Sequence, residues 1–237
     1  MNLFDVIIIL IILMFGVAGF KNGIIKELTS LIGIIVVFII SYSLKGFIGN
    51  ILCSIFPFFN FSGSMSGLIS LNVIIYQMIG FFVIFSILMT IFHIVFFVSK
   101  VLQKIIDFTL ILLLPSKLLG AVVGLIKGVV IVFILLVVLQ LPLKNIEIFE
   151  SSELKTKIIN TPPLSMFTKD IKEPLENTSL LIKKIDEKKI SVNDANLQIV
   201  DDMLKYKIVN ADTIDGLVKS GKLSDIHGIS KIINNYK

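Results

Sequence analysis

Apolar positions fill the first 142 residues in long runs, and these runs predict most of the elements. Leu3 to Phe20 is broken only by Asp5 and is just long enough to cross hydrocarbon as a helix. Leu28 to Leu44 predicts a second span. Leu71 to Val98 predicts a third, longer than an average bilayer core and therefore tilted or protruding. Lys117 to Leu141 predicts a fourth, terminated by Pro142.

The connections have their own signatures. KNGIIKE, from Lys21 to Glu27, is too polar for hydrocarbon and too short for a domain, so it reads as a turn between antiparallel spans. Gly46 to Ser70 holds FPFFNF and SGSMSG. It is too short to span and too apolar for a solvated loop, and reads as an interfacial or re-entrant segment anchored by Phe56, Phe58, Phe59 and Phe61. Lys100 to Lys117 places Lys100, Lys104 and Asp107 at helical spacing against apolar neighbours, predicting an interfacial amphipathic helix broken at Pro115.

Beyond Pro142 the chain turns polar. Residues 143–190 read as a connecting segment punctuated by Pro162, Pro163 and Pro174, and residues 191–237 as a small helical module. In that module Leu197, Val200 and Leu204 share one helix face. Asp212 is a candidate cap for a helix stopped by Gly221, and Ser224 for a last helix carrying Ile226, Ile229, Ile232 and Ile233. The fold class is an all-α membrane protein: a four-helix transmembrane domain over 1–142, an interfacial helix, and a small C-terminal helical tail module.

Composition sharpens this picture. The 237 residues are 55% hydrophobic with mean hydropathy +0.96, well above an ordinary globular chain. Residues 1–142 hold seven Lys against three acids and the remainder fifteen Lys against fourteen acids, so the net charge of +5 forms no basic stripe. Nucleic acid is not an expected partner; the lipid bilayer is. Asp5 stands where a signal peptide would be basic, and Lys21 follows where a small-residue cleavage site would be needed, so the first run reads as an uncleaved span.

Lys21 and Lys26 flank the first connection, and Lys100, Lys104 and Lys117 the third. The positive-inside rule therefore places both connections in the cytoplasm and both termini outside.

Candidate chemistry is sparse. Cys53 is alone and there are two His, which leaves no expected metal centre or cofactor. No nucleophile motif or phosphate loop appears, so no enzyme activity is expected. What remains is packing and charge. Gly120, Gly124 and Gly128 recur every four residues and line one helix face, and Gly16, Gly19 and Gly23 crowd the first corner as a possible partner face.

Lys127 lies among the glycines, and intramembrane charge is costly. It either snorkels to the interface or, with Glu27, lines a polar path gated by Phe56 to Phe61; Asp5 completes the set of intramembrane polar candidates. Asp5 also has a structural role available, at the positive end of the first helix. His93 reads as a hydrogen-bonding group rather than a proton relay, because its helix carries no carboxylate.

Three stretches resemble the colicin V production protein family of bacterial inner-membrane proteins: FDVIII from Phe4, KNGIIKELTSLIG from Lys21, and SKLLGAVVGLIKGVVIV from Ser116. The family's acid opening the first span matches Asp5. Its basic-glycine-acid corner matches Lys21, Gly23, Lys26 and Glu27, and its glycine-rich basic stretch matches Gly120, Gly124, Lys127 and Gly128. Ser116 stands where an acid often precedes the basic residue.

The resemblance covers about residues 1–142. It implies a cytoplasmic-membrane protein linked to toxin production or secretion and to envelope homeostasis. The leading expectation is a structural or accessory factor working as a homo-oligomer or with an envelope or secretion partner. The alternative is a small-solute transporter or channel component using Lys127 and Glu27, and a third reading makes the tail an extracytoplasmic binding module.

Overall fold

A computed structural model describes residues 2–103, 113–139, 143, 146–162 and 169–237. Among the described residues the α-helices are, in order, α1 (Leu3–Asn22), α2 (Ile24–Ile55), α3 (Leu71–Gln103), α4 (Leu113–Leu139), α5 (Glu147–Glu150), α6 (Glu153–Asn160), α7 (Lys169–Asp186), α8 (Val192–Lys205), α9 (Ala211–Lys219) and α10 (Ile229–Asn234). No strand occurs among the described residues. Helices α1 to α4 are each long and apolar enough to cross a membrane, and Leu10, Leu13, Met14 and Val17 lie exposed along α1. Apolar surface of that kind is stable only against lipid or another apolar surface. The protein is a multi-pass α-helical membrane protein.

The chain forms two compact units, one of Met1–Ile40 with Ile87–Thr168 and one of Ser41–Ser86 with Lys169–Lys237. In the first, α1 and α4 run antiparallel through a glycine crossing. A Cβ added to Gly124 would meet the Phe15 carbonyl oxygen and the Gly19 Cα, and one on Gly19 would meet Gly120 and Gly124. Gly128 faces Ile12 and Phe15, and Gly16 faces Leu125. Backbone approach this close excludes side chains, which is why small residues occupy the seam. On another face of the unit, the Phe92 ring fills the space over Gly33.

In the second unit a further crossing joins α2 to α3. A Cβ on Gly80 would come within 2.7 Å of the Lys45 carbonyl oxygen and 2.6 Å of the Gly49 nitrogen. This contact explains the main departure from the sequence reading, which ends the second span near Leu44. Ser41, Tyr42, Ser43, Gly46 and Gly49 have the composition of a loop, yet α2 continues through them to Ile55. The glycines are needed there for helix approach, and tertiary packing overrides their low helix propensity.

Residues 56–62 fold back on the start of α3. Asn72 accepts from the Phe59 amide at 2.6 Å and donates to the Phe59 carbonyl at 3.2 Å, the Tyr76 hydroxyl donates to the Pro57 carbonyl at 2.6 Å, and Phe59 stacks on Tyr76. The backbone of the FPFFNF stretch thus finds partners within the unit, while Phe56 and Phe59 stay half exposed.

Pro115 lies within α4 rather than before it. Lys104 and Asp107 of the expected amphipathic helix lie outside the described residues, and Lys100 belongs to the end of α3. Pro174 falls inside α7 rather than in a connection.

The tail helices are capped differently from expectation in two places. Asn210, not Asp212, caps α9 by accepting from the Thr213 amide, and α10 starts after Gly228 rather than at Ser224. Helices α7 and α8 end in the same way, on a left-handed lysine, Lys188 (φ 55°) and Lys207 (φ 53°), each followed three residues later by the next N-cap, Ser191 or Asn210. In both, two backbone bonds close the helix end: Lys188 and Lys189 donate to Ile185 and Lys184, and Lys207 and Ile208 to Leu204 and Met203.

Candidate functional site

The polar cluster of the first unit is built at the corner between α1 and α2. Gly23 ends α1 with φ 78°, a backbone conformation that a side chain would strain, and its amide donates to the Gly19 carbonyl at 2.9 Å. This turn starts α2 at Ile24 with no cap of its own sequence. Ser116, on α4, accepts from the Ile24 amide at 3.4 Å and so caps α2 from another helix. Ser116 therefore supplies a hydroxyl to a helix N-terminus.

One turn into α2 the Glu27 side chain turns inward and is 1% exposed. One carboxylate oxygen accepts from the Asn22 amide group at 2.6 Å, and the other pairs with the Lys127 ammonium. Lys127 emerges from α4 between Gly124 and Gly128, is 8% exposed, and passes within 5.4 Å of the Phe15 ring centre. A buried ammonium without a counter-ion would be strongly disfavoured; here it has a carboxylate and an aromatic face. The structure brings Lys127 and Glu27, two of the polar candidates read from the sequence, together as a buried pair.

Beside the ion pair lies a cavity of about 210 Å3, lined also by Lys26, Ser30, Phe92 and His93. His93 Nδ1 is 2.7 Å from the Met89 carbonyl oxygen. A carbonyl only accepts, so the proton sits on Nδ1, and in the neutral ring Nε2 is the acceptor. The arrangement neutralises two buried charges beside a cavity with a partly polar lining. Groups of His, Cys, Asp and Glu suited to a metal ion are absent among the described residues.

Asp5 is not part of this cluster. It lies at the opposite end of α1, about 25 Å from Asn22 at a helical rise of 1.5 Å per residue. There it accepts from the Asn2 amide (2.9 Å), the Ser152 hydroxyl (2.5 Å) and the Leu154 amide (3.1 Å), while Asn2 accepts from the Asp5 amide. One carboxylate thus serves the N-termini of both α1 and α6, where two positive helix ends meet. The three polar candidates divide into an ion pair and a helix clamp. The six glycines Gly16, Gly19, Gly23, Gly120, Gly124 and Gly128 come together along the α1/α4 seam and its corner with α2.

Several participants escape the sequence reading. Asn2, Asn22, Ser116 and Ser152 are single polar residues with partners on other helices or across a turn, and of these Asn2, three residues before Asp5, and Ser152, preceding Glu153, carry a local capping signal. In the second unit Gln77 donates to Asn50 at 2.7 Å and Asn50 to Thr213 at 2.9 Å, a partly buried polar chain beside the Gly49/Gly80 crossing. The spacing of Gly46 and Gly49 was the available signal for that crossing.

Four membrane-length helices, with a glycine seam and a buried ion pair in the first unit, define a multi-pass helical membrane protein. A family model described as colicin V production protein matches residues 4–163, and the chain belongs to that family. The match runs past residue 142 and takes in α6, the helix whose N-terminus shares the Asp5 carboxylate. No curated protein and no solved structure shows a significant match.

Proposed function

We propose that this protein is a non-catalytic accessory factor of the cytoplasmic membrane that supports toxin production or secretion, or envelope homeostasis. The observation that carries this reading is the pairing of Lys127 with Glu27 inside one chain. The most conspicuous intramembrane charge is neutralised by its neighbour and sits at the edge of a glycine seam that leaves no room for sliding. Family membership supports the link to colicin V production. Because the glycines are used between α1 and α4, a homo-oligomer or an envelope or secretion partner would engage other surfaces. The lysine distribution supports cytoplasmic first and third connections and extracytoplasmic termini, which a reporter fused at Lys237 tests directly.

The decisive experiment replaces the pair together. Glu27→Leu/Lys127→Leu should keep its activity in a strain lacking the gene, because a buried ion pair can be exchanged for apolar side chains at little cost. Loss of activity with intact folding would overturn the accessory reading.

A second reading, a small-solute transporter or channel component, is favoured by the cavity beside the pair and its lining of Lys26, Ser30 and His93. It requires Lys127→Ala to abolish solute flux in reconstituted vesicles. Normal flux in Lys127→Leu vesicles would exclude it.

A further inference from the structure

The cavity beside the Glu27/Lys127 pair, about 210 Å3, lies wholly within the first unit. We propose that it binds a small monocarboxylate, a carboxylate group joined to a few apolar carbons. Such a guest would be the solute in the transporter reading, on which this inference rests for the cavity alone; binding needs no flux, so each can fail without the other.

Hydrogen-bonding capacity sets the chemistry of the guest. The Lys127 ammonium has three N–H donors and is 8% exposed. One donor goes to Glu27, and the Phe15 ring, 5.4 Å away, offers a face but no lone pair. Two donors are left for the cavity that Lys127 lines, and leaving them unmet in apolar surroundings is unfavourable. Lys26 and the Ser30 hydroxyl line the same space, and among the described residues neither has a hydrogen-bond or ion-pair partner. Acceptors are fewer. Glu27 gives one oxygen to Asn22 and the other to Lys127, so the Asn22 carbonyl, the Ser30 oxygen and Nε2 of the neutral His93 ring remain. Donors outnumber acceptors, which fits a guest rich in acceptor oxygens.

The charge balance agrees. Glu27 and Lys127 cancel and Lys26 is left over, so one negative charge on the guest balances the described lining. Lys26 is itself exposed and builds no site alone; the buried donors of Lys127 and the hydroxyl of Ser30 complete it. Phe92 and Phe96 supply the apolar wall, stacked with ring centres 5.9 Å apart at 19°. At about 30 Å3 for one water, the volume equals roughly seven waters and falls below the ~300 Å3 at which drug-sized pockets begin. The carbon part of the guest is therefore short.

The test uses the full-length protein in micelles of a neutral detergent at neutral pH, with sodium propionate as the probe. Ligand-observed saturation-transfer NMR follows propionate and its uncharged analogue propionamide. Propionate should give a saturable signal, and propionamide should bind at least about fivefold more weakly. The apparent affinity for propionate should fall by about fivefold or more in Lys26→Gln/Ser30→Ala, which removes a charge and a hydroxyl from the lining. It should stay unchanged in Lys21→Gln, which removes an exposed lysine outside the cavity.

Absence of a propionate signal overturns the site, as does propionamide bound as tightly as propionate or a signal that ignores the double substitution. Binding without propionate flux in reconstituted vesicles upholds the site and sinks the transporter reading alone. Lys26→Gln by itself, at an exposed side chain, guards against misfolding of the double variant. With an unchanged melting temperature it must also weaken binding.

Discussion

The ammonium of Lys222 lies 2.5 Å from the Cys53 carbonyl oxygen and 2.8 Å from those of Ser54 and Phe56, so a lysine of the tail closes the C-terminal end of membrane helix α2. The last carbonyls of a helix have no intrahelical donors and carry the negative end of its dipole. Two of them, and the Phe56 carbonyl just past the helix end, share one cation here. The tail is held a second time at Asn196, which accepts from the Ser70 amide at 3.0 Å and donates to the Gly67 carbonyl at 2.8 Å.

Lys222→Met should therefore loosen the tail without unfolding it. The methionine keeps most of the apolar length and removes the donor, at a cost of roughly 1.5–3 kcal/mol for hydrogen bonds to a charged group. Limited proteolysis in micelles should cut within residues 187–237 several-fold faster than in the parent protein, while α1 and α4 stay protected. An unchanged cleavage rate would show that Asn196 and the apolar contacts suffice.

Two glycine substitutions should act in opposite directions. At Gly124 any side chain meets backbone on α1, at the Phe15 carbonyl and the Gly19 Cα, and neither can move aside as a rotamer would. Gly124→Leu should destabilise the first unit by about 3 kcal/mol or more, the upper range of overpacking. Gly216, inside α9, has nothing within 4 Å of an added Cβ. Gly216→Ala should stabilise the tail by about 0.5–1 kcal/mol through helix propensity alone. Thermal melts of the full-length variants, read by circular dichroism, check both signs.

These contrasts show what was legible in the sequence. The four spans were, because a run of apolar residues as long as Leu3 to Phe20 or Leu71 to Val98 admits few other structures. Glu27 and Lys127 stood out as charges beside such runs, and the glycine ladder as a packing face. The extension of α2 to Ile55 was hidden, because Ser41 to Asn50 has the local composition of a loop and is held helical by contacts with α3. The second role of Asp5 was hidden for a related reason. Its capping of α1 is local, but Ser152 is 147 residues away, and nothing in either neighbourhood names the other.

The left-handed lysines supply a backbone test. A non-glycine residue in this conformation costs about 1–2 kcal/mol relative to a right-handed one, and glycine avoids most of that while losing more freedom on folding. Lys188 is exposed at the end of α7, at φ 55°. Lys188→Gly should raise tail stability by about 1 kcal/mol, whereas Lys188→Val, β-branched, should lower it. Slower amide exchange across α7 and α8 in the glycine variant is the expected reading; an unchanged or faster rate would mean that Lys188 carries a contact of its own.

Two aspartates of the tail should give opposite pH signatures. The Asp215 carboxylate accepts from Lys237 at 2.7 Å and Lys219 at 3.0 Å, and these bonds hold its pKa below the ordinary value near 3.8. Its contribution is fully present above the unfolded pKa and is lost as pH falls through the folded one. Asp202 is the reverse: burial pushes its pKa up, against the opposing bond from Asn177 at 3.1 Å. Its charged form is the disfavoured one, so acidification through the folded pKa recovers stability down to the unfolded value. Asp202→Asn should therefore stabilise the tail at pH 7 and flatten the pH dependence just above pH 4. Asp215→Asn should destabilise it at pH 7 and leave little difference from the parent below pH 3. Melting temperatures of the three proteins between pH 3 and pH 7 decide the matter, and a stabilising Asp215→Asn would refute the paired geometry at that carboxylate.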